Sequence, residues 1–255
     1  MNYDEIAYGI ADAHIHFGDC SLYPFNFWES GLLDYKERFR PRKMLIFPFD
    51  VRPEHANERL VQFAATKLKR TARVLLKAVP IDLVEPNIIF RQYWEYKGTV
   101  IGFKLHTSLD RCPANSERYR SFWELANENG LIMLVHCGRW EEIASYKFAL
   151  QSAALYPKAK VILAHMGGNE LKNMLGAIET SRGLPNVYLE TSNCRMSTMI
   201  AKAVEKLGAE RILFGSDTPW GSVLPNIFTV LESAILEIEK ELILRRNLEV
   251  LLNKI

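Results

Sequence analysis

Two histidines one residue apart, His14 and His16 in the run "DAHIHFG", stand out in a chain that has only six histidines. Residues two apart on an extended strand project to the same face, so these two imidazoles would converge on one point. Further along, "LIMLVHCG" carries His136, "VILAHMGG" carries His165 and "ILFGSDTPW" carries Asp217, each at the end of a short apolar run. Several neutral imidazoles and one carboxylate form a borderline-soft donor set suited to Zn2+, with Mn2+, Fe2+ and Co2+ as alternatives. A divalent cation held by such a set can generate a nucleophile from water at neutral pH and polarise a carbonyl. The competing reading of His14 and His16 alone is a pair of hydrogen-bonded core histidines. The company of His136, His165 and Asp217 weighs against it.

These residues must be positioned by something, and the apolar pattern says what. Eight β-rich runs recur along the chain: "ADAHIHF", "KMLIFPF", "VLLKAVPI", "TVIGFKLH", "LIMLVHCG", "KVILAHMG", "NVYLETSN" and "RILFGSDTP". Helix-like stretches such as "PEHANERLVQFAATKLKR", "NSERYRSFWELANENG", "WEEIASYKFALQSAALY", "GNELKNMLGAIETS" and "MSTMIAKAVEKLGAE" fill most of the gaps. Alternating strands and helices demand parallel pairing. An open doubly wound sheet would gather its polar residues at one switch point, whereas a barrel spreads them around the C-terminal rim. Here they follow the first, fourth, fifth, sixth and eighth runs, which predicts a (β/α)8 TIM barrel. In that barrel His14 and His16 face inward while Ala13 and Ile15 face the helices. "LPNIFTVLESAILEIEK" and "ELILRRNLEVLLNKI" read as two closing helices, and no linker or low-complexity tract divides residues 1–255.

Composition sets the outer bounds. The chain has 255 residues, 48% hydrophobic and 24% charged, with a formal net charge of +2, which suits one α/β domain and gives no footprint for nucleic acid or an anionic membrane. Cys20, Cys112, Cys137 and Cys194 lack CxxC spacing, the opening "MNYDEIAYG" has no signal-like core, and no apolar run approaches the ~18 residues of a membrane span. The expectation is a reduced, cytoplasmic protein.

The pieces "DAHIHF", "GFKLH", "LVHCG", "ILAHMGG", "VYLETS" and "LFGSDTPWG", with "ILRRNLEVLL" near the end, resemble the amidohydrolase superfamily over nearly the whole length. The similarity is to the amidohydrolase-related branch that includes aminocarboxymuconate-semialdehyde decarboxylase and similar metal-dependent hydrolases. That resemblance implies His14, His16, His136 and Asp217 as metal ligands, with Asp217 also serving as base, and His165 as a general acid/base or a further ligand. In "GFKLH", Lys104 matches the type of a carboxylated lysine that bridges two metals in some relatives; others hold a single ion, and one ion is expected here. The alternative for Lys104 is a buried lysine neutralised by a carboxylate such as Glu190. His106, closer to the rim, is a candidate to polarise a substrate carbonyl, against a packed, hydrogen-bonded histidine.

Loops after barrel strands select the substrate. Arg52, Arg111, Arg139 and Arg195 follow four of the runs, and arginines at a pocket mouth suit capture of a carboxylate or phosphate. A small anionic molecule is therefore the expected partner. Trp220 is a candidate wall, and the long first loop with Tyr23, Phe25, Phe27 and Trp28 a candidate lid or homodimer contact. His55 reads as a surface residue. Function then lies between metal-assisted hydrolysis of a small amide, lactone or ester and nonoxidative decarboxylation of an unsaturated or aromatic acid, with a silent binding barrel as the alternative of another class. A nuclease is disfavoured, because the rim lacks a basic stripe and the fourth run offers Lys104 in place of a glutamate.

Overall fold

The computed structural model describes residues 6–20, 23–49, 53–138 and 140–255. Its sheet contains β1 (Ala11–Cys20), β2 (Tyr23–Phe27), β3 (Lys43–Pro48), β4 (Ala72–Ala78), β5 (Val100–Leu105), β6 (Ile132–Val135), β7 (Lys160–Leu163), β8 (Val187–Glu190) and β9 (Ile212–Leu213). From β1 through β3 to β9 the strands pair in chain order and in parallel, while β2 folds back antiparallel on the end of β1. Three backbone bonds join the two ends of this ring: Ala13 N–H to Phe214 O at 2.8 Å, Asp217 N–H to His14 O at 2.9 Å and His16 N–H to Thr218 O at 2.8 Å. The eight expected strands thus form the (β/α)8 barrel.

Two apolar layers follow from the side-chain alternation. Leu45, Phe47, Leu75, Ile132, Leu134, Ile162 and Leu213 fill the barrel interior, and the last helix adds Leu248 and Leu251 to that cluster as a plug. Met44, Ile46, Val74, Leu76, Phe103 and Met133 face outward and pack under the helices. The closing segment contains Val223–Leu231 and then Glu237–Leu252, the latter with a π-helical turn over Leu242–Arg246.

One detail corrects the expected alternation. Between Asp12 and Ile15 strand β1 advances three residues while β3 advances two, from Met44 to Ile46, which is a β-bulge. Ala13 therefore lies in the inner cluster with Leu45 and Phe47 and does not face the helices, whereas Ile15 does. The bulge changes the parity of the strand, so Ala13 packs the barrel below and His14 and His16 point inward above it.

A second irregularity lies at Gly102, between Val74↔Val100 and Leu75↔Gly102 in the β4/β5 pairing. A Cβ at Gly102 would overlap the Ile132 carbonyl of β6. Gly102→Ala is expected to lower the melting temperature by about 5 °C or more, because a backbone clash inside the sheet cannot be relieved by a side-chain rotation; thermal denaturation followed by circular dichroism checks it.

The first loop contains β2 and a helix, Glu29–Phe39, and the side chains of Tyr23 and Phe25 lie outside the described residues. Trp28 donates Nε1–H to Asp19 at 3.1 Å, carries the Arg59 guanidinium over its ring at 3.9 Å and meets Phe17 edge-on. Those contacts hold Trp28 to the end of β1 and to the helix that bears Arg59. Among the described residues no helix is long and apolar enough to cross a membrane. All four cysteines are free and buried, and His55 is exposed.

Candidate metal centre

The bulge in β1 and the ends of β6, β7 and β9 bring the separated residues together. His14 Nε2 lies 3.1 Å from His16 Nε2 and 3.1 Å from Asp217 Oδ1, and His16 Nε2 lies 2.9 Å from the same oxygen. His14, His165 and Asp217 each offer a ligand atom within 4.8 Å of the others, and all are buried. His165 Nε2 is 3.3 Å from His136 Nδ1, whose ring stacks on His106 with centroids 4.2 Å apart. Ring contacts fix the orientations further: His16 lies flat on Phe49 at 4.0 Å, and His14 meets Phe47 edge-on at 5.0 Å.

Backbone strain is concentrated here. His165, Asn193 and Asp217 have φ of 56°, 54° and 60°. Left-handed backbone is disfavoured for any residue with a Cβ, and such residues cluster at functional sites when the surrounding fold holds them there. At Asp217 the Asn193 amide donates to Oδ2 at 2.5 Å, while Oδ1 faces the two imidazoles.

Glu190, at the end of β8, lies under the cluster. It accepts His14 Nδ1–H at 2.9 Å, and at 2.7 Å each it accepts the His165 backbone N–H, the Ser192 backbone N–H and the Ser192 hydroxyl. Burial alone would raise its pKa, but the charge and hydrogen bond of His14, then His165 and Ser192, hold it at about 2. Asp217 is likewise kept well below the usual carboxylate range, burial being outweighed by His14 and His16. Burial pushes the pKa values of His106, His136 and His165 down, with neighbouring imidazoles and Lys104 assisting, so these rings are neutral and keep a lone pair. His14 differs: burial and Lys104 oppose its charge, yet Glu190 and Asp217 outweigh them and raise its pKa.

Lys104 is fully buried, its Nζ 4.5 Å over the Phe47 ring and without a hydrogen-bond partner among the described residues. Burial lowers its pKa to about 7 against the opposing pull of Asp217 and Glu190. The direct pairing with Glu190 entertained from sequence is not formed. Lys77, by contrast, is a buried lysine with a partner, bonding Asp110 Oδ2, which also accepts the Tyr119 hydroxyl at 2.6 Å.

Above the cluster opens a cavity of about 600 Å³, lined by His16, His106, His136, His165 and Asp217 on the floor side and by Trp140, Asn169, Asn193, Arg195 and Trp220 higher up. Arg195 and Trp220 thus stand where the sequence placed them. Arg111 does not: it caps the short helix Thr107–Asp110 with left-handed backbone, is exposed, and is not among the cavity-lining residues. Arg52 and Arg139 lie outside the described residues. Sequence reasoning missed Trp140, the role of Glu190 beneath the imidazoles, and Ser192 and Asn193. The signal for the last three was present in "LETSN", where polar residues follow an apolar strand at the ligand-bearing end.

A (β/α)8 barrel whose strand ends gather imidazoles and a carboxylate beneath a cavity defines a class of barrels with a metal-type donor cluster at the C-terminal face. The particular family follows from the sequence itself: the amidohydrolase family model matches residues 11–225, and the chain belongs to that family. Solved structures of the same fold include a dihydroxybenzoic acid decarboxylase from Polaromonas with bound manganese, at TM-score 0.74 and 16% identity over 96% of this chain and 97% of that one. Also similar are a putative 2-pyrone-4,6-dicarboxylic acid hydrolase from Pseudomonas putida, at TM-score 0.72 and 16% identity over 96% and 97%, and an amidohydrolase from Burkholderia multivorans, at 0.75 and 16% over 96% and 99%. At these identities the likeness is one of fold. No curated protein matches the chain.

Proposed function

We propose that this chain is a metal-dependent hydrolase acting on a small anionic amide, lactone or ester. The observation that carries the reading is the convergence of His14 Nε2, His16 Nε2 and Asp217 Oδ1 within 3.1 Å of one another, under a cavity lined by His106, His136 and His165. This donor set fits a divalent cation. Two imidazole nitrogens and a carboxylate oxygen face one another at separations close to those between ligands of a single small ion, and His14 is oriented from behind by Glu190 as ligating histidines usually are.

His14, His16, Asp217 and His136 would hold the ion, with His165 beside them, and nitrogen and oxygen donors favour Zn2+ over Mn2+, Fe2+ or Co2+ in the absence of other selection. We assign one ion; a bridging role for Lys104 would require its modification and a second. When bound, the cation supplies Lewis acidity, lowering the pKa of water from about 15.7 to about 7 and polarising a carbonyl. Asp217 would orient the attacking water and accept its proton, and neutral His165 would take that proton up in turn and hand it to the leaving group. His106 accepts the Leu109 N–H at Nδ1, 3.4 Å away, which leaves Nε2–H to donate to a substrate carbonyl oxygen. Arg195 at the mouth pairs with the anionic group.

Nonoxidative decarboxylation is the second reading. The exposed rings of Trp140 and Trp220 on the cavity wall suit a planar unsaturated acid, and the neutral imidazoles could protonate the carbon that loses carbon dioxide. A panel of lactones, amides and carboxylated aromatics, assayed for released acid and for carbon dioxide with added Zn2+ or Mn2+, tests both. Acid release that vanishes on chelation and returns with metal supports hydrolysis; carbon dioxide release in its place selects the second reading; and turnover indifferent to metal overturns both. With whichever substrate responds, Arg195→Ala is expected to raise KM about tenfold or more and to change kcat little, since a mouth cation binds ground state and transition state alike. Initial-rate kinetics decide this.

A further inference from the structure

The structure assigns Glu190 as the positioning residue that places the Nδ1 proton of three site histidines at once. A carboxylate accepts and cannot donate, so the atom of His14 lying 2.9 Å from Glu190 Oε1, Nδ1, carries a proton, while Nε2 faces Asp217 Oδ1 at 3.1 Å. The Ser192 hydroxyl donates to the same Oε1 at 2.7 Å. Its oxygen, 2.7 Å from His165 Nδ1, must then accept from that nitrogen. The Ser192 carbonyl, 3.2 Å from the same nitrogen and able only to accept, gives the same answer.

With Nδ1–H spent on Ser192, His165 presents Nε2 as a lone pair. His136 Nδ1 lies 3.3 Å from it and must be the donor, which leaves Nε2 as the lone-pair atom of His136. One buried carboxylate thus places a proton on each Nδ1: His14 directly, His165 through Ser192, and His136 through His165. It also fixes the backbone that carries two of these groups, accepting the N–H of His165 and of Ser192 at 2.7 Å each. His14 Nε2, beside His16 Nε2 and Asp217 Oδ1, is then the atom that would face the proposed cation, and His165 is left as a base. The cation part of this inference rests on the proposed metal centre; the tautomer part does not.

Glu190→Gln is the near-isosteric probe. In either amide orientation one NH2 group must face a donor, either Ser192 N–H or the His14, Ser192 and His165 donors. Ser192→Ala cuts only the branch to His165 and His136 and leaves the Glu190 contact with His14. The experiment is ring nitrogen-15 NMR of the cation-free protein at about pH 9, where His165 and His136, both pushed down by burial, are neutral, together with Zn2+ affinity by chelator competition. In the wild type His165 and His136 are expected as Nδ1–H tautomers, and His14 with a proton on Nδ1. Ser192→Ala should shift His165 and His136 and leave His14 in place, while Glu190→Gln shifts all three and weakens Zn2+ binding about 10- to 100-fold. Wild-type tautomers in Glu190→Gln, or a His14 shift in Ser192→Ala as large as that of His165, overturns the assignment; should Glu190→Gln fail to fold, the Ser192→Ala spectra decide alone. A wild type that binds no Zn2+ overturns the metal centre, and the spectra still decide the role of Glu190.

Discussion

Asp217→Asn is expected to reduce kcat/KM by about a thousandfold while the protein stays folded. The carboxylate lies against both His14 Nε2 and His16 Nε2, at 3.1 and 2.9 Å, and in the proposed reaction it also takes the proton of water. Asparagine keeps the shape and can still hold one imidazole, but it has neither the charge nor the basicity. Its suitability as a probe comes from the backbone: φ at Asp217 is 60°, in the left-handed region that asparagine tolerates better than most residues. The loss should therefore appear in turnover and bound metal, measured by steady-state kinetics and elemental analysis, with little change in melting temperature. A variant retaining a tenth of wild-type kcat/KM would remove Asp217 from the chemistry.

Asp12→Ala should produce the largest loss of stability among single changes near the site, a fall of about 10 °C in melting temperature. Asp12 is fully buried at the bulge, and its Oδ1 accepts the His14 and Ser216 backbone N–H groups, both at 3.0 Å, across the seam where the ring closes. Its Oδ2 accepts the Tyr35 hydroxyl at 2.6 Å, tying the seam to the helix Glu29–Phe39. Alanine would leave three buried donors without an acceptor at about 1–3 kcal/mol each. Taking about 4 kcal/mol in total after partial relaxation, and roughly 2–4 °C per kcal/mol for a domain of this size, gives the stated shift. Asp12→Asn, which keeps an oxygen for the two amides, should lose less than half as much. Equal melting temperatures for Asp12→Ala and wild type would show that water reaches these groups.

Much of the site was legible because strand periodicity and strand ends are local properties. The same-face projection of His14 and His16 follows from spacing two, and placing His136, His165 and Asp217 at one rim needs only that parallel strands share a direction. Arg195 and Trp220 were found by the same logic and do line the cavity. Arg111 was not separable from them, because a rim loop can turn its side chain either way and here a left-handed cap turns it outward. Nothing in "FNFWES" reveals that Trp28 lies under Arg59 and against Phe17, because those contacts are set by packing between β1 and a helix distant in sequence.

The amino-acid sequence by itself determined the order of strands and helices, the barrel class and the identities of the imidazoles and the carboxylate, since these depend on hydrophobic period and residue type. Only the tertiary structure decided how they act together. The bulge that places Ala13 in the barrel interior, the closure of β1 against the segment bearing Asp217, and the reach of one Glu190 carboxylate to His14, Ser192 and the His165 backbone join atoms up to 204 residues apart in the chain (Asp12 to Ser216), and hydrogen-bond geometry at that separation is set by the packing of the whole ring and leaves no trace in local spacing.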